Sequence, residues 1–269
     1  MRPLAAMPDE VAARVALVFT DIDDTLTHGG RLPAWAYRAL EDLHNAGLVV
    51  APITGRPAGW CDMIARFWPV AGVVGENGAL YFAYDGTQKR MRRVYAADPQ
   101  TRAANRLRIT EIERRVLDEV PGAAVSADQA YREADLAIDF CEDVPPLGKA
   151  EVARIKAIFE SMGATAKVSS IHVNGWFGAY DKLTMARRFA AEVAGVDIDA
   201  ERACIVFVGD SPNDAPMFEF FPNACGVANI LAFPGELESE PAYVCEGRGG
   251  SGFLEVAERL LAARRRVKA

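Results

Sequence analysis

The chain has 269 residues, of which 51% are hydrophobic and 25% are charged, with 22 glycines and 15 prolines. This composition excludes disordered, collagen-like and low-complexity proteins, and the length leads us to expect two domains. The formal net charge of −7, from 37 acidic and 30 basic residues, provides no broad basic face, so we expect no nucleic-acid partner.

Apolar runs and cysteines predict the compartment. No run reaches the roughly 18 residues that span a bilayer, and Pro3, Asp9, Glu10 and Arg14 interrupt the stretch that a secretory signal would need. The five cysteines stand singly, with no C-x-x-C pair. These features predict a cytoplasmic protein with reduced thiols and no membrane partner.

The first part of the chain alternates strand and helix. Short β-branched apolar runs indicate buried strands, and the segment before Gly47 places its apolar residues on one helical face. This β-α-β-α-β order is typical of a parallel sheet with right-handed crossovers. The predicted elements are the strand Arg14–Thr20, the helix Pro33–Ala46, the strand Leu48–Ile53, a helix that begins near Pro57, and the strand Val70–Val74.

After Glu76 the pattern changes to strand pairs and helices, which predicts an inserted α+β layer. Gly175 and Gly178 bracket its return and suggest a hinge. The predicted elements are a hairpin of Ala79–Tyr84 and Arg90–Tyr95, helices at Pro99–Glu119 and Gly148–Met162, and strands at Ala123–Ser126, Glu133–Phe140, Thr165–Ser169 and Ile171–Phe177.

From Asp181 the chain returns to an α/β pattern. A helix to Gly195, a strand at Ala203–Val208 and a final helix ending near Lys268 are predicted. We therefore predict an α/β fold with a doubly wound, mainly parallel, Rossmann-like sheet in the core. The core takes residues 1–83 and 179–269, and an inserted α+β cap domain takes residues 84–178.

Four polar segments stand at strand ends or helix starts, where an open parallel sheet places its ligand crevice. They are Asp21–Thr25, Thr54–Arg56, Lys182 and Gly209–Asp214. Each one alone is weak evidence, because Asp, Thr and Gly are common in turns and caps. The four together in this order favour a catalytic site over a set of ordinary loops.

Convergence of these segments creates a charge problem. Two carboxylates 4 Å apart repel by about 4 kcal/mol at an effective dielectric constant near 20, and Asp21, Asp23, Asp210 and Asp214 would meet. An all-oxygen cluster of this kind favours Mg²⁺, which keeps waters and a substrate phosphate. The Thr54 hydroxyl, the Lys182 ammonium and backbone N–H groups could hold the phosphate oxygens.

Taken together, D-I-D-D-T-L at Asp21–Leu26, I-T-G-R at Ile53–Arg56, Y-D-K at Tyr180–Lys182 and G-D-S-P-N-D at Gly209–Asp214 resemble the haloacid dehalogenase superfamily of phosphatases. The resemblance covers nearly the whole chain. E-N-G-A at Glu76–Ala79 and the α+β insertion look like the capped branch, subfamily IIB, which includes sucrose-phosphate phosphatase, mannosyl-3-phosphoglycerate phosphatase and phosphomannomutase. Asp24 departs from the Gly found in many relatives.

The resemblance implies a division of roles in the core. Asp21 would attack phosphorus and form an aspartyl-phosphate, and Asp23 would protonate the leaving alcohol and then activate water. It implies that phosphate is bound by Thr54, Gly55 and Lys182, with Asn213 positioning either Lys182 or the phosphate. It also implies that Mg²⁺ is bound by Asp21, the backbone carbonyl of Asp23 and Asp210, with Asp214 as a ligand directly or through water.

Substrate contacts are predicted less directly. Glu76 and Asn77 could contact a sugar or cap a turn, and Arg56 could bind substrate or pair with a carboxylate. On the cap, Arg132, His172 and Asn174 could face the crevice, although polar residues are common on any α+β surface. Trp176 and Phe177 could stack on a sugar ring, but core or hinge packing is the alternative that we prefer.

We therefore expect a Mg²⁺-dependent phosphatase that hydrolyses a small-molecule phosphate ester, in particular a phosphorylated sugar or sugar derivative, as a monomer or homodimer. The alternative is a phosphosugar mutase that uses the same chemistry at Asp21. A non-catalytic receiver-type domain also carries an aspartate after a parallel strand. Such a domain lacks the acid/base Asp23 and has no use for a cap.

Overall fold

The computed structural model describes residues 1–169 and 171–268. Its central sheet has six strands in the order β1-β13-β12-β11-β2-β3, and every neighbouring pair is parallel. The strands of the molecule are β1 Arg2–Pro3, β2 Leu17–Thr20, β3 Val49–Pro52, β4 Val73–Gly75, β5 Leu80–Asp85, β6 Arg90–Tyr95, β7 Ala124–Val125, β8 Asp135–Asp139, β9 Thr165–Val168, β10 His172–Trp176, β11 Ile205–Gly209, β12 Cys225–Gly226 and β13 Tyr243–Val244.

Helices cover both faces of the central sheet. The four residues of β2 are all buried, because the strand is covered on each side. The helices are α1 Asp9–Arg14, α2 Ala34–Asn45, α3 Ala58–Phe67, α4 Pro99–Glu119, α5 Lys149–Ser161, α6 Lys182–Phe189, α7 Ile198–Glu201, α8 Ala215–Phe220 and α9 Gly250–Lys268.

The two faces of the sheet carry separate apolar layers. Side chains alternate along β2, so Val18 joins the layer under α1, α2, α3 and α9, whereas Leu17 and Phe19 join the layer under α6 and α8. This arrangement confirms the predicted doubly wound α/β fold. The short strands β1, β12 and β13 were not predicted, because two residues carry too little periodicity to recognise.

The predicted hairpin belongs to the core. β5 pairs antiparallel with β4 and with β6, and a single parallel bridge between Ile53 and Val74 joins this small sheet to the central one. Val94 and Tyr95 pack against the core layers. The predicted boundary at residue 84 therefore falls inside β5. The third predicted strand of the parallel sheet is mainly an antiparallel partner of the hairpin.

The cap is a four-stranded antiparallel sheet in the order β7-β8-β10-β9. Helices α4 and α5 cover one face, where Leu136, Ile138 and Val173 join the apolar core of the cap. Period-two alternation puts Asp135, His172 and Asn174 on the opposite face. That polar face covers the carboxyl end of the central sheet.

Gly175 has a packing role in β10. A Cβ at this position would lie 2.0 Å from the ring of Phe159, so the strand needs glycine there to approach α5. Gly178, at φ +127°, turns the chain back to the core. Within the described part of the chain, no helix is both long and apolar enough to cross a membrane.

Candidate active site

The predicted site residues meet where three neighbouring strands end. Asp21 follows β2, Thr54 lies just beyond β3 and Asp210 follows β11. In the sheet register, Thr20 stands beside Pro52 and Val208. The topology therefore brings all three segments to one edge of the sheet, as in other open parallel sheets.

Lys182 is the central cation of this edge. It is the first residue of α6, whose N-cap is Asp181, and its Nζ lies 2.8 Å from Asp21 Oδ1 and 2.8 Å from Asp214 Oδ1. Burial alone would lower the pKa of Lys182, but the two carboxylates raise it above its ordinary value. The ammonium therefore stays charged between them.

Asp214 is completely buried and anchors the site. Its Oδ1 accepts a hydrogen bond from Lys182, and its Oδ2 accepts one from the backbone N–H of Asp210 at 3.2 Å. A Cβ at Gly209 would come within 2.5 Å of Asp214 Oδ2, so this close contact needs glycine. In this structure Asp214 positions Lys182 and the Asp210 loop.

Asp21 and Asp210 are the buried carboxylates of the crevice. Burial raises the pKa of Asp21 to about 7, and burial together with the charges of Asp214 and Asp21 raises the pKa of Asp210 well above its ordinary value. The hydroxyl of Thr25 donates to Asp210 Oδ1 at 3.3 Å. The Lys182 ammonium compensates part of this negative charge through its contact with Asp21.

Asp23 is held by Arg56. Nε of Arg56 lies 3.1 Å from Oδ1 and 3.0 Å from Oδ2 of Asp23, and Nη2 lies 2.9 Å from Oδ1. The guanidinium also stacks over the ring of Trp60, 4.5 Å from its centroid. Two roles were predicted for Arg56, binding substrate or pairing with a carboxylate. In the structure Arg56 lines the crevice and forms an ion pair with Asp23.

Asp24 has a backbone φ of +56°. This left-handed conformation costs most L-residues free energy and is tolerated by glycine, Asn and Asp. The backbone N–H of Asp24 donates to Thr27 Oγ1 at 2.8 Å, which stabilises the turn. The geometry explains why glycine also suits this position and why Asp24 leaves the loop intact.

Thr54 and Gly55 form the second predicted loop. Thr54 is completely buried, and its Oγ1 accepts from the N–H of Arg56 at 3.0 Å, which leaves the hydroxyl hydrogen available. Gly55 lines the crevice, and its carbonyl accepts from Arg132 Nη1 at 2.9 Å. Asn213 also lines the crevice, and its Oδ1 accepts from Ser211 Oγ.

A crevice lies between core and cap. Core and cap both contribute to its walls. The lining residues are Asp21, Asp23, Gly55, Arg56, Asn77, Arg132, Ser169, Ile171, His172, Asn174, Asp210, Ser211 and Asn213.

Asn77 offers the crevice an unused donor. Its side chain is buried, and its Nδ2 has no hydrogen-bond partner among residues 1–169 and 171–268. Asn77 also lies near a second, more apolar cleft, which Asn213 and Lys182 share. A buried unpaired amide is costly without a ligand, so Asn77 is suited to bind one.

The polar cap residues differ in how far their hydrogen-bonding groups are available to a substrate. Arg132 is paired mainly with carboxylates, because Nε pairs with Asp128 at 2.9 Å and Nη1 pairs with Asp135 at 3.0 Å. Asn174 Nδ2 donates to Asp135 at 3.3 Å. His172 Nε2 lies 2.9 Å from Glu142 Oε2, an ion-pair distance, although no aligned hydrogen bond forms there in the described chain.

Glu76 does not line the crevice. It is completely buried and accepts four backbone hydrogen bonds, from Ala58 in the core and from Glu133, Ala134 and Asp135 in the cap, at 2.6 to 3.1 Å. Its carboxylate has no capacity left for a sugar. Glu76 was predicted to contact a sugar or to cap a turn. In the structure its hydrogen bonds instead join the core to the cap.

The two aromatic residues at the end of β10 pack inside the protein. Trp176 is 2% exposed and stacks on Tyr180, with ring centroids 5.8 Å apart. Phe177 joins the apolar core of the cap. Trp176 also lines the second cleft, but the burial of both rings agrees with the predicted packing role.

Sequence reasoning missed the acidic residues of the cap that complete the site. Asp128 and Asp135 stand four and three positions from Arg132, a spacing that could have indicated ion pairs. Glu142 follows a predicted strand just as the core residues do, yet its contact with Arg56 spans 86 positions. The carboxylate of buried Asp139 accepts hydrogen bonds from the backbone N–H groups of Cys141 and Glu142, and these bonds hold the Glu142 loop.

A hard cation fits the donor set of the crevice. Burial and the charge of Asp214 raise the pKa of both Asp21 and Asp210, and Mg²⁺ prefers carboxylate oxygens of this kind. Among the described residues, however, no three His, Cys, Asp or Glu side chains stand close enough to form a complete ligand group. The predicted metal site of four carboxylates therefore stays a prediction. In this structure Asp214 accepts a hydrogen bond from Lys182.

Comparisons with known proteins support the fold. No protein-family model matches the chain, and no curated protein sequence matches it. A crystal structure of a Thermoplasma acidophilum protein is 18% identical, with a TM-score of 0.68 over 92% of this chain and 98% of its own. A sugar phosphatase described as haloacid dehalogenase subclass IIB is 14% identical, with a TM-score of 0.62 over 93% of this chain and 100% of its own.

A third similar structure is the sucrose-phosphatase of Synechocystis sp. PCC6803, in complex with sucrose and phosphate. It is 15% identical and has a TM-score of 0.61 over 91% of this chain and 97% of its own. At this level of identity the likeness concerns the fold. The chain therefore shares the fold of these proteins, a mainly parallel α/β core with an inserted cap.

Proposed function

We propose that this protein is a Mg²⁺-dependent phosphatase that hydrolyses a phosphate monoester of a sugar or sugar derivative. The observation that carries the proposal is the Lys182 ammonium, 2.8 Å from both Asp21 and Asp214, where Asp21 lines the crevice that the cap covers. A buried carboxylate beside a fixed cation, with a second carboxylate nearby at Asp23, is an arrangement for phosphoryl transfer.

In the first step, a carboxylate oxygen of Asp21 attacks phosphorus, and the bond from phosphorus to the alcohol oxygen breaks. Asp23, which begins the cycle in its protonated form, gives its proton to that oxygen. In the second step, Asp23 takes a proton from water, the water oxygen attacks phosphorus, and the bond to Asp21 breaks. Inorganic phosphate is released, Asp21 is again a carboxylate and Asp23 again carries its proton.

The remaining core residues position the phosphoryl group. Lys182 donates to its oxygens, with the Thr54 hydroxyl, Asn213 and the backbone at Gly55 as further donors. Asp21, Asp210 and the backbone carbonyl of Asp23 would hold Mg²⁺. When bound, the metal neutralises charge on the phosphate and on the buried carboxylates. Asn77 Nδ2, which lacks a partner in the described chain, would donate to the substrate.

The ion pairs of the two arginines in the crevice favour hydrolysis over a phosphosugar mutase reaction. A mutase that works through a bisphosphate needs cations for a second phosphate. Both arginines that line the crevice are already paired with carboxylates, Arg56 with Asp23 and Glu142, and Arg132 with Asp128 and Asp135. A neutral polyol as leaving group fits these walls better.

The test is phosphate release from a panel of sugar phosphates, an aryl phosphate and a phosphoglycerate, with and without Mg²⁺. We expect turnover that Asp21→Asn abolishes, since this nearly isosteric change removes the nucleophile. Aryl phosphate turnover by Asp21→Asn within tenfold of the unchanged protein would contradict the assignment. Conversion of a hexose 1-phosphate to the 6-phosphate without phosphate release would favour the mutase.

A further inference from the structure

We propose that Glu142 on the cap is a positioning residue, which acts through Arg56 on the carboxylate of Asp23. The inference rests on the proposed function, in which Asp23 exchanges a proton with the leaving alcohol and with water. It concerns how closure of the cap places Asp23.

One nitrogen joins the core carboxylate to the cap carboxylate. Arg56 Nη2 lies 2.9 Å from Asp23 Oδ1 and 3.0 Å from Glu142 Oε1. A guanidinium is planar and its five donors have fixed directions. Because Arg56 contacts both oxygens of Asp23, the direction of the guanidinium determines the direction of that carboxylate.

Glu142 is itself held in place. Oδ1 of buried Asp139 accepts from the N–H groups of Cys141 and Glu142, and Oδ2 accepts from the N–H of Asp143, at 2.8 to 2.9 Å. The other oxygen of Glu142 lies 2.9 Å from His172 Nε2. This support distinguishes the contact from a typical surface ion pair, in which two flexible side chains lose entropy for little gain.

The charges agree with this arrangement. His172 and Arg56 lower the pKa of Glu142 to about 2, so it remains a carboxylate. The Arg56 side chain is only 8% exposed, and its Nη1 lies 3.6 Å from Asp128 Oδ2. Removal of Glu142 would therefore leave a buried guanidinium that still pairs with Asp23 but has lost its main anchor on the cap.

The contact can form only when the two domains lie together. Glu142 and His172 belong to the cap, whereas Asp23 and Arg56 belong to the core. Cap closure thus completes the support of Asp23 after the substrate has entered. A proton-transfer group depends strongly on its position, so the effect should appear with leaving groups that need protonation.

The experiment compares an alkyl sugar phosphate with an aryl phosphate, whose leaving group needs little protonation. We expect Glu142→Ala to lower kcat on the alkyl substrate by about tenfold and kcat on the aryl substrate by less than about twofold. Glu142→Gln keeps an acceptor for Arg56 Nη2 and should lose less. Asp143→Ala, in the same loop, is the matched control and should change neither rate.

A double-mutant cycle tests the route through Arg56. In an Arg56→Gln background, the further change Glu142→Ala should leave the alkyl-to-aryl ratio unaltered. Equal losses on both substrates in both Glu142 variants, or a full additional loss in the Arg56→Gln background, would overturn the proposal. Failure of the proposed function is distinct, because the unchanged protein would then release no phosphate from either ester, or Asp21→Asn would remain active.

Discussion

Lys182 Nζ lies 2.8 Å from Asp21 Oδ1, although 161 positions separate the two residues in the chain. The same nitrogen lies 2.8 Å from Asp214 Oδ1. One buried ammonium therefore holds the proposed nucleophile and the anchor of the opposite loop together. Breaking a buried ion pair by removing one partner leaves uncompensated charge, which is more costly than loss of a surface pair.

Replacement of Lys182 by Met should damage both stability and activity. We expect the free energy of unfolding to fall by about 3 kcal/mol, because Asp21 and Asp214 would stay buried without their cation. The rate of phosphate release should fall at least about 100-fold, since a donor to the transferring group is lost. Urea denaturation and phosphate assays measure the two effects.

The matched control for this change is Lys156→Met. Lys156 lies on α5 and pairs with Glu160 on the surface at 3.6 Å, so its loss should alter stability by less than about 1 kcal/mol. Equal behaviour of the two variants would show that Lys182 has no special role.

Removal of divalent cations with EDTA should abolish turnover, and Mg²⁺ should restore it. Ca²⁺ should not, because it prefers more ligands at longer distances. Mg²⁺ should also raise the melting temperature, since it binds the folded chain, and Asp210→Asn should remove that increase. Asp143→Asn is the control that should retain it. Full activity in metal-free buffer would contradict a metal site at Asp21 and Asp210.

Glu76→Gln should loosen the joint between cap and core. The carboxylate accepts four backbone N–H groups, whereas one side of a Gln amide is a donor that would face them. We expect a loss of about 1–3 kcal/mol in the free energy of unfolding. Hydrogen exchange at Ala134 and Asp135 should accelerate. Unchanged exchange at these two amides would contradict the joint.

Glu76 should also contribute to the pH dependence of stability. Burial and the charge of Asp135 raise the pKa of Glu76 to about 7, above its ordinary value of 4.5. The folded state then binds more protons between these two values, so this group stabilises at low pH and the contribution falls as pH rises to about 7. The slope is at most about 1.4 kcal/mol per pH unit.

Comparison of the unchanged protein with Glu76→Gln isolates this contribution, because other buried carboxylates titrate in both. We expect the difference in unfolding free energy between the two proteins to narrow from pH 5 to pH 7, a window set by the raised pKa. A difference that widens over this range would mean that the four N–H donors hold the pKa of Glu76 low.

Asp24 tests the left-handed turn beside the proposed nucleophile. At φ +56°, Asp24→Gly should retain stability to within about 1 kcal/mol, whereas Asp24→Val should lose about 1–2 kcal/mol more than Gly. The control pair Asp42→Gly and Asp42→Val, in helix α2, should show the opposite order, since glycine is the poorer helix former. Urea denaturation of the four variants checks both orders.

Much of the core could be predicted from the sequence. A strand buried on both faces appears as an unbroken apolar run, which identified β2, β3 and β11. Polar residues that follow such strands meet at one edge of the sheet because the strands are parallel. The meeting of Asp21, Thr54 and Asp210 could therefore be predicted from the sequence.

The sequence by itself determined the doubly wound core, the cap insertion and the set of residues at the sheet edge, because these depend on periodicity and on the order of the elements. Only the tertiary structure decided what Glu76, Arg132 and Glu142 do. Their partners depend on how the cap lies on the core, and the contacts of Glu76 with Glu133 and of Glu142 with Arg56 span 57 and 86 positions. The sequence pattern around a charged residue does not show whether it faces solvent, a substrate or a buried backbone amide. Only the packing of the folded chain determines which of these it contacts.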